Sequence, residues 1–231
     1  MYSLIALLIL VTVLHVTISE ENSRDFECSV KGSKMTEDDR RTVTKRHNEW
    51  RRDLAKGEDS RRYPKAQDMR YMKYNCTLEE DALTIAKTNC EYASLPKSSF
   101  DFVGSNNHTV TRGRHIGGRT IINYGRVVQT WMETGEIYSS THGLKPSKHD
   151  NKEIPFLQVA NGPMHWLGCA YFVCDNGNDD SEPKTIFTCK YGEPHIDAHT
   201  DIYNEGEPCG ACGGVKSKDC IEESLCKTIT A

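Results

Sequence analysis

At 231 residues the chain is long enough to bury a full core, and its size fits one domain or slightly more. Hydrophobic residues make up 37% and charged residues 27%, a soluble composition that excludes a polytopic membrane protein. Against 33 Asp and Glu stand 29 Lys and Arg, a formal charge of -4 that gives no basic field for binding nucleic acid.

Residues 1–19, MYSLIALLILVTVLHVTIS, form the one long apolar run, and Thr17 and Ser19 stand where a cleavage site takes small or polar residues. This segment is expected to be a signal peptide, followed by a polar N-terminal extension over residues 20–35. No other stretch approaches about 18 apolar residues, so no membrane span is expected in the mature chain.

The first helix is predicted to open at Thr36, a cap with Glu37, Asp38 and Asp39 behind it. It carries Val43, His47, Trp50 and Leu54 at helical spacing and ends at Gly57. A second capping box, Thr77 with Glu80, leads into Leu78, Ala82, Leu83, Ile85 and Ala86, a pattern that closes near Cys90. Residues 95–119 are rich in Pro, Ser, Gly and Asn and read as a long ordered loop. Val127, Val128, Trp131 and Ile137 then mark a third helix.

Strands are expected at residues 156–160, 167–174 and 184–191, with Asn176-Gly177 opening the connection between the last two. Helices first and antiparallel strands later imply an α+β layered fold with helices packed on a small sheet. Residues 193–231 carry four of the ten cysteines and few large apolar side chains, so this tail requires stapling.

An even cysteine count behind a signal peptide makes five disulfides the default. Asn75-Cys76-Thr77 and Asn107-His108-Thr109 are glycosylation sequons, which a secreted chain can use. Cys209, Cys212, Cys220 and Cys226 could alternatively supply four thiolates to zinc, but an oxidising compartment argues against it, as it does against a redox CxxC.

His47-Asn48-Glu49-Trp50-Arg51 matches an H-N-x-x-R signature, and Gln158-Val159-Ala160-Asn161 through Gly168-Cys169-Ala170 looks like a Q-V-V-W…G-C-A block. With Cys90-Glu-Tyr92 and Pro208-Cys-Gly-Ala-Cys212, these make the chain resemble the CAP superfamily of cysteine-rich secretory, antigen 5 and pathogenesis-related class 1 proteins. The tail is similar to that of venom-allergen-like proteins secreted by parasitic worms. The resemblance implies a three-layer αβα sandwich over residues 36–192 and a short cysteine-rich extension over 193–231. It also implies the pairs Cys90–Cys174, Cys169–Cys189, Cys209–Cys220 and Cys212–Cys226, which leaves Cys28 and Cys76 to each other.

Relatives in this family can hold a divalent cation with two histidines and two acids. Here the matching positions are Ser94, Arg114, Thr134 and Pro155, a set without imidazole or carboxylate, so no metal and no cofactor are expected. A guanidinium at Arg114 would repel the ion. A slip of one or two residues in the alignment would bring His115, Glu133 or Glu136 inward instead.

His47 is read as a hydrogen-bonded core residue, and His195 and His199 as residues of a surface loop. No G-x-S-x-G elbow is present, oxidised cysteines offer no thiolate, and Ser94 has no general base at a recognisable spacing, so an enzyme is not expected.

Binding remains. The resemblance implies a carrier of sterols or fatty acids, with Phe100, Phe102 and Val103 in the long loop as one candidate site. Val43, Trp50, Leu54, Val127, Val128 and Trp131, between the first and third helices, form the other, although such a stripe is also what an ordinary core requires. The alternatives are an extracellular, immunomodulatory effector whose surface engages a host or matrix protein and, behind it, a divalent-metal-dependent hydrolase.

Overall fold

The computed structural model describes residues 25–91, 104–110, 114–116, 119–135, 137–138, 143–146, 152–174, 184–197, 199–213 and 216–227. The expected signal peptide and Asn176-Gly177 lie outside these residues.

Helix α1 spans Glu37–Ala55. Thr36 and Asp39 cap it reciprocally: Thr36 Oγ1 accepts from the Asp39 amide at 3.2 Å, and the Thr36 amide donates to Asp39 Oδ2 at 2.8 Å. Three acids in its first turn and Arg52 in its last complement the helix dipole. The buried positions Val43, His47, Arg51 and Leu54 repeat every three or four residues and form one stripe.

Strand β1 is Lys73–Tyr74 and helix α2 is Cys76–Glu91. The cap of α2 is Asn75, two residues before the expected Thr77: Asn75 Oδ1 accepts from the amides of Thr77 at 2.9 Å and Leu78 at 3.1 Å. Glu79, next in the first turn, has an interior task. Fully buried, it receives Arg40 Nε at 2.6 Å, Arg40 Nη2 at 2.9 Å and Tyr74 OH at 2.8 Å, tying α2 to α1. In unglycosylated protein, Asn75→Ala is expected to lower the unfolding free energy by about 1 kcal/mol, read as a fall in the urea midpoint at constant slope.

Residues 95–119, expected to be loop, contain strands β2 at Ser105–Val110 and β3 at Arg114–Ile116, and β4 at Arg119–Ile121 starts at their end. Strand β2 pairs antiparallel along its whole length with the later strand β6 (Thr185–Tyr191), although its sequence SNNHTV carries little apolar signal. It is an edge strand, where polar side chains are expected, and its partner rather than its composition holds it. Helix α3, Tyr124–Met132, is shorter than expected, and Ile137 lies beyond it, 72% exposed.

Residues 156–160, expected as a strand, belong to helix α4, Ile154–Ala160, with Pro155 in its first turn. A short apolar run fits either element, and here all five residues are buried, so no face distinguishes them. Strand β5 is Trp166–Val173.

The main sheet runs β1-β5-β6-β2, with β1 parallel to β5 and the other neighbours antiparallel. Both faces of β5 and β6 are covered, so alternate residues feed two cores. Leu167, Cys169, Tyr171, Phe187, Cys189 and Tyr191 join the large cluster with α1, α3 and α4. Ala170 and Ile186 meet Ala82, Leu83 and Ala86 of α2 on the other side. Gly168 is required by this approach, since a Cβ there would lie 2.2 Å from the Glu79 amide nitrogen. The result is the expected three-layer αβα arrangement.

Five disulfides join Cys28–Cys76, Cys90–Cys174, Cys169–Cys189, Cys209–Cys220 and Cys212–Cys226, the pairs that the resemblance implies. The last two staple a small tail of α5 (Lys216–Asp219), β7 (Cys220–Ile221) and β8 (Leu225–Cys226). The tail also lies along residues 65–71 through main-chain bonds. Cys226 N donates to Met69 O at 2.7 Å, Tyr71 N to Cys226 O at 2.8 Å and Ala211 N to Gln67 O at 2.9 Å. No described helix is long and apolar enough to cross a membrane.

Candidate functional site

The signature residues of α1 hold the fold together from within. Arg51 has no exposed surface and binds only backbone carbonyls: Arg70 O from Nε and Nη2, Val159 O and Asn161 O from Nη1, and Gly162 O and Met164 O from Nη2, all between 2.7 and 3.0 Å. Asn48 brackets the main chain of Met72, donating to its carbonyl at 3.0 Å and accepting from its amide at 2.8 Å.

His47 Nδ1 lies 2.8 Å from Val43 O, an acceptor only, so this nitrogen carries the proton and Nε2 accepts from Tyr191 OH at 3.0 Å. Burial pushes the imidazole down to about 4, with the Arg51 cation acting in the same direction. His47 is therefore a neutral core residue at physiological pH.

From Tyr191 the network runs toward Thr134 and Pro155, two of the positions that the resemblance matches to a cation site. Asn106 Nδ2 donates to Tyr191 OH at 3.1 Å and to Pro155 O at 2.9 Å, and Asn106 Oδ1 is buried without a partner among the described residues. Thr134 Oγ1 donates to Trp131 O at 2.7 Å and accepts from the Phe156 amide at 3.1 Å, joining the end of α3 to α4. Thr134 and Pro155 are thus occupied with structural bonds. Ser94 and Glu136 lie outside the described residues, and only the backbone of Arg114 and His115 is described.

Glu133 does not turn inward. It is exposed, receives Gln129 Nε2 at 2.7 Å and pairs with Arg126 at 3.5 Å. Among the described residues no three His, Cys, Asp or Glu side chains gather where they could hold a metal ion. His199 is exposed and His195 half-buried, with its ring packed on Gly104; neither stands on a helix.

The helix-pair site differs from its sequence-based outline. Val43, Leu54, Val127, Val128 and Trp131 are at most 3% exposed and belong to the central core. Trp131 stacks on Phe187 at 5.9 Å and donates Nε1 to Asn107 O at 3.2 Å. Helices α1 and α3 therefore close on one another, and these five residues form no groove wall. Trp50 alone of the six reaches a surface groove of about 530 Å³, whose other lining includes Arg46, Glu49, Arg52, Asp53 and Arg126. Its charges are largely matched: Arg46 pairs with Glu49 at 2.7 Å, and Arg52 with Asp53 at 3.1 Å and Glu222 at 3.4 Å. Phe100, Phe102 and Val103 lie outside the described residues.

Sequence reasoning met Arg51 within the H-N-x-x-R signature without assigning it a role, and it singled out neither Asn106 nor Tyr191. A basic residue four positions after a core histidine was the available signal for Arg51, since both fall on the buried stripe of one helix. Asn106 was hidden by the loop-like composition around it.

A family model described as the cysteine-rich secretory protein family, CAP, matches residues 44–191. Hookworm platelet inhibitor 1 of Ancylostoma caninum is 28% identical over 229 residues, covering 95% of this chain and 96% of that protein. A cysteine-rich venom protein of the scorpion Tityus serrulatus is 26% identical over 206 residues, 86% of this chain, but the chain spans only 48% of that relative's length. Among solved structures, BmVAL-1 superposes with a TM-score of 0.69 at 22% identity, covering 89% of this chain and all of that one. NaASP2, solved with Zn2+, gives 0.65 at 21% identity, covering 87% and 100%. At these identities the structural likenesses establish the fold alone.

Proposed function

Since the chain belongs to the CAP family, we propose that it is a secreted binding protein whose ligand is the surface of another extracellular protein. The closed packing of α1 on α3 carries this choice. It leaves an open groove of paired charges where a carrier of alkyl chains needs an apolar channel, and such groups suit a polar, protein-type contact. Five disulfides and the apolar N-terminal run support secretion, and Asn75 and Asn107 are the proposed glycan sites. No catalytic role is proposed for any residue.

The near full-length likeness to a protein named for inhibiting platelets makes the platelet surface the first partner to test. Fluorescently labelled protein is expected to bind washed platelets saturably, competed by unlabelled protein, and to reduce their aggregation. No saturable binding would overturn this partner.

Carriage of a sterol or fatty acid is the second reading, favoured by Phe100, Phe102 and Val103 standing among polar neighbours in the sequence. Its own test is saturable uptake of labelled cholesterol or palmitate, lost in Phe100→Ser with Phe102→Ser; uptake of neither lipid would end it.

A further inference from the structure

A second cavity, of about 270 Å³, lies between residues 161–163, after α4, and residues 194–202, after β6. Its walls are Pro163, Pro194, Ile196 and Ile202, and both isoleucines are anchored in the main core. The two loops are fixed to each other. Gly162 N donates to Ile202 O at 2.5 Å, Asn161 Nδ2 donates to Pro194 O at 2.7 Å, and Asn161 O is one of the carbonyls gripped by Arg51. Ile202 N is bound in turn to Leu144 O at 3.0 Å. The cavity is thus preformed.

Its rim carries Asp197, Thr200 and Asp201, all exposed. Asp197 Oδ1 accepts the His199 amide at 2.7 Å, and neither carboxylate is ion-paired among the described residues. His195, the remaining ionisable lining group, is held below its ordinary range by burial and by Lys190, so it is neutral at physiological pH and leaves the mouth negative.

An apolar shaft below two uncompensated carboxylates defines its occupant. The volume is under the range of about 300–1,000 Å³ typical of small-molecule sites and suits one long side chain. Arginine and lysine combine an alkyl stem, which packs on apolar walls, with a cationic head that stays at the water boundary. Carboxylates at that boundary form charge-assisted hydrogen bonds to it.

We propose that this cavity receives a basic side chain, arginine or lysine, projecting from the protein that the molecule binds. The inference deepens the protein-binding function and rests on it, supplying the chemistry of one contact. Asp197 and Asp201 hold the cationic head, and Ile196, Ile202, Pro163 and Pro194 pack on the stem.

The test is titration of 15N-labelled protein with the blocked tripeptide Ac-Gly-Arg-Gly-NH2 and its neutral citrulline twin, followed by amide shifts. The arginyl peptide is expected to shift the amides of Ile196, Asp197, Asp201 and Ile202 saturably, and the citrulline peptide to bind at least about tenfold more weakly. Asp197→Asn with Asp201→Asn, whose spectrum away from the cavity serves as the folding control, is expected to remove that preference and to weaken platelet binding severalfold. Equal binding of the two peptides, or no shifts at these amides, would overturn the proposal. So would platelet binding unchanged in the double variant. Wild-type protein that prefers the arginyl peptide yet ignores platelets would sink the platelet assignment and leave the cavity assignment standing.

Discussion

Arg51→Leu is expected to lower the unfolding free energy by about 3–5 kcal/mol, enough to leave little folded protein at 37 °C. Leucine removes the guanidinium donors from five carbonyls, those of Arg70, Val159, Asn161, Gly162 and Met164; Gly162 O keeps the Arg70 amide, and each acceptor left unpaired in the interior costs about 1–3 kcal/mol. Lysine keeps the charge but not the fork: one ammonium with three donors cannot span carbonyls arranged around a planar guanidinium. Arg51→Lys should therefore lose most of the same stability. Burial pulls Arg51 down to about 9, which still leaves it a cation at neutral pH. The control is Arg41→Ala, which breaks an exposed ion pair with Glu37 and a cation–π contact with Phe26 and should cost no more than about 1.5 kcal/mol. Urea unfolding of the oxidised proteins, followed by circular dichroism, measures all three; an Arg51→Leu midpoint close to that of Arg41→Ala would refute the clamp.

The second large effect depends on pH. His47 titrates near 4 in the folded chain and near 6.5 when unfolded, so between these values the unfolded state binds more protons. Stability from this group is complete above about pH 6.5 and is lost as pH falls through about 4. Across that window the loss is about 3 kcal/mol. His47→Gln removes the titration while retaining an amide that can bond Tyr191. The difference in unfolding free energy between pH 7.5 and pH 4 should accordingly be about 3 kcal/mol smaller in the variant than in wild type. Using the difference isolates His47 from His108 and His165, which burial also shifts downward. Parallel pH profiles for the two proteins would show that His47 is not the acid-sensitive group.

Much of the scaffold was legible because several local signals agreed. Thr36 to Gly57 combined a reciprocal cap, acids in the first turn, an apolar stripe and a glycine stop, and the helix follows all four. Strands β5 and β6 were legible from their length and their β-branched and aromatic content. Failures arose where one signal had two physical solutions. Asn75 and Thr77 can each cap a helix, and it is Asn75 that receives the first free amides, those of Thr77 and Leu78. The run at 156–160 is apolar throughout and carries no period. Strand β2 is specified by β6, which no local composition reveals.

The candidate site was harder to read for the same reason. Apolar residues at helical spacing show that a face is covered but not whether protein or ligand covers it, and here Val43 and Leu54 lie in the protein's own core. The acidic cavity depends on loops nearly forty residues apart in sequence, a distance over which spacing says nothing about contact.

The bonds between the tail and residues 65–71 bear on how force passes through the molecule. A change in composition near residue 193 invites the picture of a swivelling appendage. Shared main-chain bonds instead make the tail a rib of the body, and two internal disulfides stiffen the rib itself. Torque applied at Glu222 would reach α1 directly through Arg52, so a large partner seated on the tail would reorient the whole particle with it.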